Sequence, residues 1–343
     1  VETDAKHARA AYYLGNLLYD RRRHRAAIAL WEKSARLAPG YAVVWRNLGI
    51  GYFNVLRQPA KARRAYETAW RADRKDARVL YERDQLWKRL GVAAAVRLRE
   101  LAAHRALVDE RDDLTVEFGA LLLATGRAGE ALALVGARKF QPWEGGEGLA
   151  RGVFVDAHLA LGCAALATGD AAQARGHFEA ALTSPENLGE ARHLLANPGD
   201  VFYWLGCACA AGGDETAARA AWTAATRAAG DFQEMSAVAF SEKTYFTARA
   251  LEKLGRRTAA RKLLRGMLAY ARTLAKQPAK IDYFATSLPT MLLFEDDLAA
   301  RQATTAKLLE GLALLGLGQR EAGERALREA RRADPSRAAA RAV

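Results

Sequence analysis

Cysteine is scarce in this chain, with three in 343 residues. Cys163, Cys207 and Cys209 all fall inside helical pattern, and the last two, two residues apart, point to different faces of a helix. They read as small core residues. A zinc site wants paired Cys or His at matching spacing. None of His7, His24, His104, His158, His177 and His193 supplies it, so no metal and no cofactor is expected. With so few thiols a reducing, cytoplasmic compartment is the simplest reading. Long apolar runs are missing too. No stretch of 18 residues is free of charge, which argues against a transmembrane helix and a membrane partner. Alternating strand patterns are missing, and so is a signal-peptide pattern. The chain opens at Val1 without Met and enters helical pattern almost at once, as a piece of a longer protein would.

What is present is a repeat. Leu14-Gly15, with Ala27, Trp31 and Pro39 in the same unit, recurs 34 residues on as Leu48-Gly49, with Trp45, Tyr52 and Tyr66 in that unit. A small residue serves as a ruler. Gly162 is followed at +12, +16 and +19 by Ala174, Phe178 and Ala181, and Gly206 by Ala218, Trp222 and Ala225. Gly311 reaches Leu327 at +16, Ala330 at +19 and Pro335 at +24, the offset at which Gly15 reaches Pro39. Small residues let two helices approach closely, the large one fills the space between hairpins, and proline stops the second helix. This is the signature of the tetratricopeptide repeat, a helix-turn-helix unit.

Weaker hairpins fill the gaps. Val79 to Arg105 breaks at Gly91, Asp112 to Val135 at Thr125-Gly126-Arg127, and Phe246 to Met267 at Gly255-Arg256-Arg257. Gly-Asp breaks such as Gly169-Asp170 and Gly213-Asp214 read as a helix stop followed by an N-cap. The expectation is an all-α, tetratricopeptide-like, right-handed solenoid of about eight hairpins. It forms a single helical-repeat domain over 1–343, with irregular insertions at 138–148, 184–200 and 272–297. The 51% hydrophobic content is ample for its core.

The net charge of +13 is uneven. Residues 1–105 hold 23 Lys+Arg against 10 Asp+Glu, whereas the remainder is balanced at 29 of each. The run Arg21-Arg22-Arg23-His24-Arg25 belongs to that excess. Such a field steers an acidic partner or a nucleic acid, or it is simply a solvated face. The aromatics Trp45, Tyr52 and Trp70 follow the repeat ruler and read as core, which argues against base stacking and nucleic acid.

Chemistry is sought in the irregular stretches. In Phe140-Gln141-Pro142-Trp143-Glu144-Gly145-Gly146-Glu147-Gly148, Trp143 offers a face for a sugar ring. Glu144 and Glu147 offer hydroxyl recognition or acid–base work. The rival reading is a tight structural loop with Glu147 near a helix N-terminus. Asp112 and Asp113 stand before a helix, either as ligand groups or as caps. Ile281-Asp282-Tyr283-Phe284-Ala285-Thr286-Ser287-Leu288-Pro289, ahead of Phe294-Glu295-Asp296-Asp297, suits a polar ligand through Asp282 and Tyr283, or is a packed connector.

The runs FQPWEGGEG, ERDDLTVE, PENLGEAR, DYFATSLP and YERDQLWKRLG resemble the C-terminal helical part of bacterial tetratricopeptide proteins carrying domain of unknown function 5107. That resemblance implies an upstream β-rich domain akin to carbohydrate-active modules, and it assigns no catalytic residue. The main expectation is an interaction module for a protein or for an upstream domain of the same chain. The alternative is the helical part of a carbohydrate-active enzyme or sugar-binding protein, with the WEGGEG loop in its site. A ring-shaped helical enzyme is disfavoured by the proline-ended 34-residue unit.

Overall fold

A computed structural model describes residues 7–143, 145–233, 236–279 and 293–334. Glu144, Asp282, Tyr283, the whole of 281–289 and Pro335 lie outside the described residues. The elements in chain order are α1 (Ala8–Asp20), α2 (His24–Leu37), α3 (Ala42–Ile50), α4 (Pro59–Ala72), α5 (Ala77–Arg89), α6 (Ala94–Ala103) and the single turn α7 (Arg105–Val108). Then come α8 (Asp112–Ala124), α9 (Ala128–Gly136), α10 (Leu149–Ala167), α11 (Ala171–Ala181), α12 (Gly199–Ala211) and α13 (Glu215–Ala225). The chain continues with β1 (Asp231–Gln233), β2 (Ser236–Val238), α14 (Lys243–Lys253), α15 (Arg257–Leu274), α16 (Leu298–Gly316) and α17 (Arg320–Ala333). Among the described residues, and apart from α7, consecutive helices pair into eight hairpins, as the ruler and the weaker breaks predict.

The marker glycines explain why. A methyl placed on Gly15 would fall 2.5 Å from Trp31, one on Gly162 2.5 Å from Phe178, and one on Gly206 2.4 Å from Trp222. Each hairpin therefore closes by laying its large +16 side chain on bare backbone. Ala27, Ala174, Ala181, Ala218 and Ala225 are buried beside these contacts. The breaks also behave as read. Gly169 and Gly213 take φ of +85° and +81°. Asp170 then accepts from Gln173 N–H and Asp214 from Ala217 N–H, each at 2.9 Å. A left-handed residue stops one helix, and a carboxylate satisfies a free N–H of the next.

Two compact units divide the chain. Unit 1 holds the described residues through Phe118 together with 293–296, and unit 2 holds the rest from Gly119 onward. In unit 1, Ile28, Trp31, Val44, Leu48, Tyr66 and Leu86 belong to one apolar cluster. In unit 2, apolar clusters form around Phe178, Trp222 and Leu264. In unit 2, α10 is by length and composition apolar enough to cross a bilayer, the one such helix among the described residues. It carries Arg151 and Asp156 and packs against α9 and α11.

One element is not foreseen in the sequence. β1 and β2 pair antiparallel with Phe232 opposite Ala237. Buried Asp231 fixes this ribbon by accepting from Asn197 N–H at 2.8 Å.

Candidate binding groove

In the hairpin of α3 and α4 the ruler slips. Gly49 lies under Tyr66, 2.4 Å from where its methyl would be, and Tyr66 stands at +17 rather than +16. The extra residue is absorbed by a π turn, Gly51–Val55, that continues α3. Its wider bond runs from Leu56 N–H to the Gly51 carbonyl at 3.1 Å. The chain then passes through Arg57 at φ +54° before Pro59 opens α4. Single π turns are rare and gather at functional positions, whereas a left-handed residue also ends α1, at Arg22 with φ +59°.

The π turn presents Phe53 and Asn54 to a short segment without regular secondary structure, Leu293–Asp296. The Asn54 carboxamide donates through Nδ2 to the Leu293 carbonyl at 3.0 Å and accepts through Oδ1 from Glu295 N–H at 2.9 Å. It thereby spans Phe294, whose ring is 2% exposed within the unit 1 core. The ring meets Phe53 edge-on at 5.1 Å between centroids and Tyr66 at 5.7 Å. Arg57 pairs with Glu295, and Arg89 at the end of α5 pairs with Asp296.

Charge is organised behind this site. Glu82, 3% exposed, accepts from Arg46 through both oxygens, from Arg78 at 2.9 Å and from the Tyr66 hydroxyl at 3.0 Å. Burial, and then the Glu82 charge, push the Tyr66 phenol well above its ordinary value. It stays a donor, which locks the ring that Phe294 packs on. Arg97 bridges Asp84 and Glu117 at 2.6 and 2.7 Å. Burial pushes the Glu117 carboxyl up, but Lys88 and Arg97 outweigh it and hold it at about 2.

Of the residues expected from sequence, the described ones, Asp112, Trp143 and Glu147, lie elsewhere. In unit 1, half-buried Asp112 and Asp113 begin α8, and Asp113 accepts from Leu114 N–H and pairs with Arg111. Trp143, in unit 2, is half-buried with its indole folded against Gly146, where a methyl would come within 1.9 Å of the ring. Glu147 is exposed. The carboxylate at the start of α10 is Glu190, which accepts from Gly148 N–H at 2.6 Å and Arg151 N–H at 3.0 Å. The 138–148 and 184–200 stretches thus meet. Phe140 N–H donates to the Asn187 carbonyl at 2.7 Å, and Asn187 Nδ2 donates to the carbonyls of Val135 and Arg138, each at 2.8 Å. Gly189, at φ +72°, passes so close that a methyl would sit 2.6 Å from the Phe140 oxygen.

The groove itself went unread in the sequence. Its visible signal was the one-residue slip at Gly49, together with the acidic run after Phe294.

These features define the class. The chain is an all-α, tetratricopeptide-like solenoid of helical hairpins, and unit 1 carries a groove that seats the short irregular segment Leu293–Asp296. No protein-family model matches it. Among solved structures, it is similar to the C-terminal part of a tetratricopeptide-repeat protein from Cytophaga hutchinsonii, at 13% identity and TM-score 0.40, covering 92% of this chain and 99% of that one. YrrB, described as a tetratricopeptide protein with an unusual peptide-binding site, shows 19% identity and TM-score 0.40 over 53% of this chain and 88% of its own. PilF of Pseudomonas aeruginosa shows 15% identity and TM-score 0.36, over 64% and 90%. The assignment of class rests on the hairpin geometry.

Proposed function

We propose that this chain is an interaction module that binds an extended segment of a protein partner in the groove of the α3–α4 hairpin. One arrangement carries the reading: a side-chain carboxamide bonded to both a C=O and an N–H of one short backbone stretch, around a buried phenylalanine. Backbone contacts give affinity for any protein segment, and the aromatic pocket gives selectivity. The basic excess of residues 1–105 supports an acidic partner by steering its approach. The resemblance to proteins carrying domain of unknown function 5107 adds a neighbouring domain of the same protein to the candidates. The WEGGEG stretch stays outside this reading, because the segment around it is engaged in bracing α10. A random-peptide display library panned on the full chain tests it. The expected binders carry an aromatic residue beside carboxylates and are lost with Asn54→Ala and Arg89→Glu. Binders indifferent to both substitutions, or no binders, would overturn the reading.

A further inference from the structure

The groove is filled by the chain itself. Resting on the peptide-binding reading, we propose that Leu293–Asp296 is an internal ligand. The partner then presents the same chemistry, an apolar residue, a phenylalanine and two carboxylates in succession, and must displace it.

Four observations carry this. The groove residues lie far from the segment in sequence, 239 residues between Asn54 and Leu293 and 207 between Arg89 and Asp296. The segment is therefore held as a separate chain would be. Its backbone is read by a side chain rather than by a neighbouring strand or helix, with one aromatic anchor and two ion pairs at the rim. The clamp also demands a π turn, whereas the hairpins of Gly15, Gly162, Gly206 and Gly311 keep the +16 spacing. Packing alone does not ask for this extra residue. Finally, the segment ends where its next residue is committed elsewhere, since Asp297 accepts from Ala300 N–H as the N-cap of α16.

The two carboxylates are not equal. The Asp296 side chain is 9% exposed against Arg89, whereas Glu295 is 54% exposed against Arg57. The motif is accordingly strict at phenylalanine and at the second acidic position, and tolerant at the first.

A cis ligand competes at an effective concentration set by its tether, so weakening it raises the apparent affinity for the same motif in trans. The probe is a fluorescein-labelled synthetic peptide with the sequence of residues 290–300, titrated into the full chain and followed by polarisation. Glu295→Lys with Asp296→Lys breaks both ion pairs in cis and leaves Phe294 in place. That variant is expected to bind the peptide about tenfold or more tightly than the wild type, and added Asn54→Ala removes the gain. A melt of each variant checks folding. A second measurement needs no variant: in the wild type, saturating peptide should speed hydrogen exchange of the Glu295 amide, which Asn54 otherwise protects. Equal affinity in wild type and variant, or unchanged Glu295 protection at saturation, would overturn the internal ligand and leave the peptide-binding reading standing. No peptide binding to either chain, with library binders still lost by Asn54→Ala, would do the same. Failure of the library test sinks both.

Discussion

In unit 2 the Asn187 carboxamide donates twice, to the carbonyls of Val135 and Arg138. In unit 1 the Asn54 carboxamide donates once and accepts once, across the two sides of a single residue. The first pattern repairs a helix end, because the last carbonyls of α9 have no partner inside their own helix. The second repairs nothing in the helix that carries it. It reads the direction and spacing of a stretch that brings no secondary structure of its own. The same side chain thus braces a helix end in one unit and clamps a segment distant in sequence in the other, and what differs is who needs the bond.

The comparison breaks most visibly under one substitution made twice. Asn187→Ala strips two carbonyls at once and is expected to lower stability by about 2–3 kcal/mol. Asn54→Ala, whose partners reach water when released, should cost about 1 kcal/mol and act chiefly on peptide binding. Urea unfolding of both variants gives the answer, and equal losses would erase the distinction.

Acid sharpens it next. His158 and His177 meet through Nδ1 atoms 3.0 Å apart in unit 2, so one ring donates and the other accepts. Burial, and then the neighbouring ring, push His158 down to about 4. A histidine held below its ordinary value contributes stability that is full above the unfolded value of about 6.5 and is lost as pH falls toward 4. After a discount for solvent screening the loss is about 2 kcal/mol. Glu117 in unit 1 is held at about 2. Its contribution is full above the ordinary carboxylate value and is lost only as pH falls from about 4.5 toward 2. Hydrogen exchange followed from pH 7 to pH 4 should therefore show the amides around α10 and α11 loosening before those around α5 and α8.

Two smaller effects complete the series. Glu190→Gln keeps shape but removes the charge at the start of α10, for a loss of about 1 kcal/mol in thermal unfolding. Arg57→Gly goes the other way. It relieves a left-handed residue and should stabilise by about 0.5–1 kcal/mol, while the pair with Glu295 disappears. A destabilised Arg57→Gly chain would mean that the ion pair outweighs the strain.

The hairpins were legible because their causes are local. Gly15 and Trp31, or Gly162 and Phe178, lie within one unit of sequence, and the offset alone places them in contact. The Gly-Asp breaks were legible for the same reason. The bracing of 138–148 by Asn187 and Glu190 joins residues about forty apart in loops without periodicity, so the WEGGEG run showed its glycines but not their partners. The docking of Phe294 joins residues more than two hundred apart. The acidic run and the basic first third were each visible, and nothing in a linear reading says that one meets the other.

Any attempt to regularise this protein by averaging its hairpins would make the 51–55 turn the first casualty. Removing one residue there would restore the common spacing and keep Tyr66 over Gly49. It would also rotate everything beyond the cut by about 100° around the helix axis, carrying Asn54 away from the backbone it clamps. A tidier repeat would then lose the Asn54 clamp. A one-residue surplus, invisible to composition and small against the length of the chain, is what holds that clamp on the Leu293–Asp296 backbone.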